Sequence, residues 1–359
     1  MESTLFSEIG KYMDNETLLV FNDTRVIQAR LLFLNNKQQT IELFCLEPET
    51  EITTAMQARG KVQYRCLVGN LKRWKETELS LNREGISLSA SILQKHPGHV
   101  LIEFRWTPPE KNFSEVLETM GRIPIPPYLN RDTELIDESR YQTVYARQKG
   151  SVAAPTAGLH FTDHILEQLK AQGVGTASLT LHVGAGTFKP VKSDTLAGHD
   201  MHAEWIEVKR NTIKQLIEFS RGKIIPVGTT SLRSIESLYW MGVKTLMNPV
   251  IQIQELEIKQ WEVYVMRADV PVSDSLHSLL QWMDAAGLPV LICKTQILIA
   301  PPYQLKVASG LITNFHQPKS TLLLLINAVL GENWRKVYDY AKQQGFRFLS
   351  YGDSSLLLK

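Results

Sequence analysis

Cysteine is scarce in this chain: Cys45, Cys66 and Cys293 are the only three among 359 residues. Odd in number and far apart, they exclude a disulfide framework and a sequence-local cysteine metal knuckle. Long apolar runs are missing too. The block at residues 322–325 reads as part of a short helix that stops at Gly331, well below a membrane span. A basic-then-apolar leader is lacking, so the expected compartment is the cytoplasm, with no membrane partner. Neither sign of charge is in excess: 39 Lys and Arg against 37 Asp and Glu leave +2. Nucleic acid could then be held only through a local patch. What is present is an ordinary globular composition, 43% apolar and 21% charged. At this length two domains are the default.

Polar chemistry concentrates in residues 141–188. The small, kinked run at 153–158 lets backbone approach a ligand closely. Thr162 is placed to N-cap a helix with the stripe Ile165, Leu166 and Leu169, and Gly173 is placed to stop it. From Thr176 to Val183 the pattern alternates strictly: Ala177, Leu179, Leu181 and Val183 share one face, Thr180 and His182 the other. His182 thus leaves the strand just before the turn Gly184-Ala185-Gly186-Thr187. Taken singly, such a turn is usually only a turn and such a histidine usually packing. The grouping of His160, His182, His199 and His202, out of nine histidines, is what favours a site.

Along the chain, Leu18 to Phe21 form an apolar strand ending in Asn22-Asp23-Thr24-Arg25, where a carboxylate near an arginine is read first as a local ion pair. Between residues 40 and 106 short β-rich runs alternate with Gly, Asn and Pro, which predicts a small all-β barrel. Inside it Arg59, Lys61, Arg65, Lys72, Arg73 and Lys75 occur with no acidic residue between them and with Tyr64 and Trp74 interleaved. Such a run either follows a phosphate backbone and stacks bases, or is a solvated strand face around a buried tryptophan. The helical period returns from Asn112. Asn211 is placed to cap a helix, and a strand at 223–227 runs into Gly228-Thr229-Thr230-Ser231 and another helix. That arrangement points free N–H groups at an anion or ribose, although no P-loop lysine follows. Arg233 in the first turn opposes the helix dipole. Residues 243–299, with a strand-like WEVYVM, read as an auxiliary segment. Strands alternating with helices predict an α/β main domain. The loops at His160, His182 and Gly228 are expected to share one cleft.

These motifs resemble a known family. NDTRVIQARL, Pro-Pro-Tyr-Leu, YQTVYA, GSVAAPTAGLHFT, LTLHVGAGTF, HDMHAE, VGTTSLRSIES, TNFHQPKSTLLLL and FLSYGDSSLL occur here in one order, over nearly the whole chain. Together they are similar to the S-adenosylmethionine:tRNA ribosyltransferase-isomerase family of the queuosine pathway. The resemblance implies an α/β catalytic domain (1–35 and 111–359) with an inserted small β-barrel (36–110). It also implies transfer and isomerisation of the ribosyl moiety of S-adenosylmethionine onto 7-aminomethyl-7-deazaguanine at the tRNA wobble position. The product would be epoxyqueuosine-tRNA, with adenine and methionine released. Relative to the family pattern, the segment before Asn22 is short and 243–299 is long.

That chemistry needs a base for the carbon beside the sulfonium, an acid for departing adenine and a neutral amine. Under the resemblance His160, His182, His202 and His316 are the acid–base candidates, with Glu204 or Asp353 orienting one of them. Substrate contacts are expected from Asn22, Asp23, Arg25, Tyr141, Gln142, Thr156, Gly158, Gly184, Gly186, Thr187, Thr229, Thr230, Arg233 and Asn314. The six basic residues of the barrel are expected to hold the tRNA. No metal or redox cofactor is implied, S-adenosylmethionine being a co-substrate. Two rivals stay open: a tRNA-binding relative that has lost catalysis, and a metal-dependent hydrolase, against which stands the lack of a His-x-x-x-His pair.

Overall fold

The computed structural model describes residues 1–184 and 201–358, apart from Asn130, Leu135, Ala268 and Lys319. The chain enters through β1 (Thr17–Asn22), buried at every position, and the short β2 (Thr24–Val26). Six strands follow: β3 (Arg30–Leu34), β4 (Thr40–Pro48), β5 (Lys61–Gly69), β6 (Glu78–Arg83), β7 (Ile86–His96) and β8 (His99–Thr107). They form one antiparallel sheet in the order β3-β4-β5-β8-β7-β6. Its edges β3 and β6 come together, so the sheet is a nearly closed barrel. Period-2 alternation fills the interior: Val62, Tyr64 and Cys66 point in, while Lys61 and Gln63 point out. The helix Phe113–Met120, fixed by the Asn112–Glu115 capping box, lays Phe113, Val116, Leu117 and Met120 onto this same core. A boundary at 110/111 would have grouped that helix with the α/β part instead.

The second half builds the main sheet. It contributes β9 (Gln148–Ser151), β10 (Gly175–Leu181), β11 (Glu204–Lys209), β12 (Lys223–Pro226), β13 (Val290–Thr295), β14 (Gly310–Asn314) and β15 (Ser354–Leu358). The order β12-β1-β10-β11-β13 is mixed: β12, β1 and β10 are parallel, and β11 and β13 antiparallel. β9 pairs with β2, and the β14–β15 ladder reaches β12 through a parallel bridge between Val227 and Ile312. The helix Thr229–Met247 is buried over most of its length, its polar Arg233, Glu236 and Ser237 included, and packs against the sheet.

Three expectations change here. Residues 243–299 are no separate lobe: Leu256, Ile258, Leu276, Leu279, Met283 and Leu291 belong to the main core, and β13 is a strand of the main sheet. WEVYVM forms a 3-10 turn at Glu262–Tyr264, not a strand. The helix expected to be capped by Asn211 begins two residues earlier, at Arg210, with Lys209 in the capping position. Among the described residues no helix is long and apolar enough to cross a membrane. The parallel strands β1, β10 and β12 all end at one edge, at Asn22, Leu181 and Pro226, and the Val227–Ile312 bridge brings Asn314 there too. Loops after parallel strands gather at that edge, which is where open α/β sheets bind ligands.

Candidate active site

Asn22 ties the edge together. Its Nδ2 donates to Leu181 O (3.0 Å) and Thr230 Oγ1 (3.3 Å), and its Oδ1 accepts from Leu181 N–H (3.0 Å) and Thr24 N–H (3.2 Å). Every hydrogen-bonding capacity is used internally, so Asn22 positions the edge and has none left for substrate. Asp23 is buried, accepts a 2.7 Å bond from Thr180 Oγ1, and has its pKa raised by burial. Gln142 grips the Val26 backbone with both ends of its amide (3.0 and 2.8 Å). Tyr141 is buried against Val26, Ile123 and Ile125, its ring 6.1 Å from that of Tyr351. Arg25 is exposed.

His160 is held in one tautomer. Its Nε2 lies 2.9 Å from Asn314 Oδ1. Asn314 Nδ2 donates to Leu349 O (3.1 Å) and Ser350 O (3.2 Å) and reaches Thr156 Oγ1 at 3.5 Å. Since two carbonyls fix the amide nitrogen, the amide oxygen faces His160, and Nε2 must carry the proton. Nδ1 is then the lone-pair nitrogen. Burial lowers the His160 pKa, partly offset by the Asn314 bond, so the ring is neutral near pH 7. Phe6 covers one side of the ring at 5.2 Å. A Cβ on the buried Gly158 would meet the Tyr145 hydroxyl at 1.8 Å, so only glycine allows this turn to close. Leu349 sits at φ +73°, a strained conformation for a branched residue, held by its N–H bond to Phe315 O and by Asn314. Burial alone would raise Asp353, but the Arg347 N–H (2.7 Å) and guanidinium (3.1 Å) hold it below the usual carboxylate range. It is ionised and near enough to His160 for its charge to act there.

The other histidines separate. His182 is buried, with Nε2 3.3 Å from Glu207 Oε1 and Nδ1 3.4 Å from Thr24 Oγ1. Thr53 Oγ1, from the helix Ile52–Gln57 beside the barrel, donates to the same Glu207 oxygen (2.9 Å). The His182 bond, against burial, lowers the Glu207 pKa. Both ring nitrogens have partners, which leaves no free atom for the expected acid–base role, and Glu207 joins the sheet to the barrel side through Thr53. His202 is exposed, and Glu204 pairs with Arg233 and not with a histidine. Thr229 and Thr230 are half-buried at the helix start, and Gly184 is half-buried beyond β10. Gly186, Thr187 and His199 lie outside the described residues. Among the described residues no three His, Cys, Asp or Glu groups converge as a metal set.

His316 bonds Thr313 Oγ1 through Nε2 (2.9 Å), and its crowded ring is pushed from 6.5 down to about 4 by burial. The folded state therefore binds this proton less readily than the unfolded chain. Stability should fall as pH drops from about 6.5 toward 4, by roughly 3 kcal/mol once below both values. His316→Asn should shrink the difference in urea midpoint between about pH 7.5 and about pH 4.5. An equal difference in variant and wild type would show that the proton is bound elsewhere.

The basic run does not form one surface. Lys61 opens the nine-residue β5 and Lys72 lies in the Leu71–Arg73 turn beyond its other end, the strand alone spanning roughly 27 Å at about 3.4 Å per residue. Arg65 is engaged by Glu49 (2.7 Å) and Glu47 (3.0 Å). Tyr64 and Trp74 are buried, so neither offers a stacking face. Arg59, Lys61, Lys72, Arg73 and Lys75 are exposed. The last three cluster at one barrel end near Lys37 and have no ion-pair partner among the described residues.

Sequence reasoning missed two carboxylates. Glu207 and Glu236 touch partners far away in sequence, and nothing local marks them. Glu236 is fully buried; its oxygens accept from Val307 N–H (2.9 Å), Ala308 N–H (3.0 Å), Lys306 N–H (2.8 Å) and Tyr303 OH (2.7 Å).

A neutral imidazole with one fixed lone pair, at the ligand-binding edge of an α/β sheet, is equipment for moving a proton. The fold and site thus define an α/β enzyme with an attached barrel. The family profile described as queuosine biosynthesis protein matches residues 1–357. The S-adenosylmethionine:tRNA ribosyltransferase-isomerase of Halothermothrix orenii is 36% identical over 100% of this chain and 89% of its own length. That of Ruegeria pomeroyi is 38% identical over 95% of this chain and 84% of its own. A crystal structure of S-adenosylmethionine tRNA ribosyltransferase from Thermotoga maritima aligns at 24% identity and TM-score 0.42, over 98% of this chain and 86% of that one. The chain belongs to the S-adenosylmethionine:tRNA ribosyltransferase-isomerase family.

Proposed function

We propose that this enzyme transfers and isomerises the ribosyl moiety of S-adenosylmethionine onto 7-aminomethyl-7-deazaguanine in tRNA, giving epoxyqueuosine-tRNA, adenine and methionine. The observation that carries the mechanism is the His160–Asn314 pair. His160 Nδ1 takes the proton from the ribose carbon attached to the sulfonium, and Asn314 keeps the proton on Nε2 so that Nδ1 stays free. The substrate brings its own leaving groups, so the reaction needs no resident cofactor. The test is incubation with S-adenosylmethionine and precursor-bearing tRNA, followed by nucleoside mass spectrometry. Absence of both epoxyqueuosine and free adenine would defeat the reading, including if tRNA still binds.

In this reading the barrel segment, 36–110, is an inserted domain that holds tRNA in a cytoplasmic reaction. The supporting feature is the exposed group Lys72, Arg73 and Lys75. Removing one phosphate-binding side chain should flatten the salt slope of affinity by roughly 0.7 to 0.9. Replacing all three by Ala should therefore flatten it by about two units. Affinity for S-adenosylmethionine should stay as in the wild type. An unchanged slope in filter-binding titrations would return the tRNA contact to the α/β part.

A further inference from the structure

Arg233 is 8% exposed, and its guanidinium is incompletely satisfied. Nε donates to Ile297 O (3.2 Å) and Nη1 pairs with Glu204, but Nη2, shut off from solvent, has no acceptor among the described residues. A buried donor left without a partner costs about 1–3 kcal/mol, more when charged, so it marks a missing acceptor. Arg233 lies four residues beyond Thr229 and on the same face of the 19-residue helix. Helical side chains lean toward the N-terminus, which aims the guanidinium at the first turn. There Gly228, at φ +89°, provides no side-chain cap, and the first-turn N–H groups have no intrahelical acceptor. Helix dipole and guanidinium therefore favour an anion at one place, beside the edge that carries His160.

Glu204 decides which anion. A phosphate dianion would be repelled by the carboxylate already paired with Nη1. An amino-acid head fits both signs, with its carboxylate on the donors and its ammonium toward Glu204. We propose that Arg233 Nη2 and the N–H groups of Thr229 and Thr230 dock the α-carboxylate of the amino-acid arm of the sulfonium co-substrate. The proposal rests on S-adenosylmethionine being that co-substrate.

The test is calorimetric titration of the full chain with S-adenosylmethionine and with its decarboxylated analogue. The analogue lacks the carboxylate and with it at least one charge-assisted hydrogen bond, so it should bind the wild type at least about ten- to hundredfold more weakly. Arg233→Gln keeps the Thr229 and Thr230 N–H groups but loses the guanidinium, so its preference for S-adenosylmethionine over the analogue should shrink by about tenfold or more. The double variant Arg233→Gln with Glu204→Gln gives the same reading without an unpaired buried carboxylate. Equal wild-type affinity for both ligands overturns the proposal and leaves the co-substrate assignment standing. No binding of S-adenosylmethionine overturns both. Weakened tRNA binding in Arg233→Gln with ligand discrimination intact assigns the guanidinium to an RNA phosphate and also overturns it. If both variants fail to fold, the comparison of ligands on the wild type decides.

Discussion

Glu236→Ala should lose at least about 4 kcal/mol of stability, because it strips three buried donors and one part-buried donor of their acceptor at about 1–3 kcal/mol each. Glu236 accepts from three consecutive N–H groups, of Lys306, Val307 and Ala308, and from Tyr303 OH. A carboxylate filling a nest of N–H groups can be removed only by leaving those groups buried and unbonded. Glu236→Gln keeps the shape but turns an amide NH2 toward a donor, so about 2–3 kcal/mol is expected there. Turnover should fall even where the fold survives. The 303–308 loop feeds β14, whose end carries Asn314, the residue that fixes the His160 tautomer. Urea denaturation of both variants checks this, and a loss below about 1 kcal/mol in Glu236→Ala would remove the anchoring role.

What can be seen in the sequence follows from which interactions are local. The Thr162 cap and the Gly173 stop depend on neighbours within a few positions, and the structure has both: Thr162 Oγ1 accepts from Ile165 N–H and Gly173 sits at φ +82°. The β10 alternation holds from Thr176 to Leu179, beyond which residues 180–183 are all buried. The gathering of His160, Asn314 and the Gly228 turn follows from strands alternating with helices, since parallel strands put their exits at one edge. His182 follows the end of β10 at Leu181, and its partner Glu207 comes from the antiparallel neighbour β11, a pairing that no local pattern specifies. Glu236 is invisible in the sequence because the donors it accepts from lie 67 to 72 residues away. WEVYVM alternates like a strand, yet alternation does not say whether a sheet edge is there to receive it. A stacking role for Tyr64 conflicts with period 2 itself. On a barrel strand that exposes Lys61 and Gln63, residues 62, 64 and 66 must face the core.

His160→Ala should lower kcat/KM by about 10²- to 10⁴-fold while the protein stays folded, as expected when a positioned base is removed. The ring is only partly buried and its Asn314 contact is one neutral hydrogen bond, so the stability loss should stay near about 1 kcal/mol. The pH profile separates a base from a packing residue. Burial lowers the His160 pKa below the ordinary histidine value, so the basic form prevails at neutral pH. Activity should fall only as pH drops through that lowered pKa, and this acidic limb should vanish in His160→Ala. Asn314→Ala frees the tautomer and is expected to reduce kcat/KM by about tenfold or more, with the limb retained. Steady-state kinetics across pH on the three proteins, with thermal melts to confirm folding, provide the measurement. If folded His160→Ala keeps kcat/KM within about threefold of wild type, the proton is taken by another group and His160 only packs the edge.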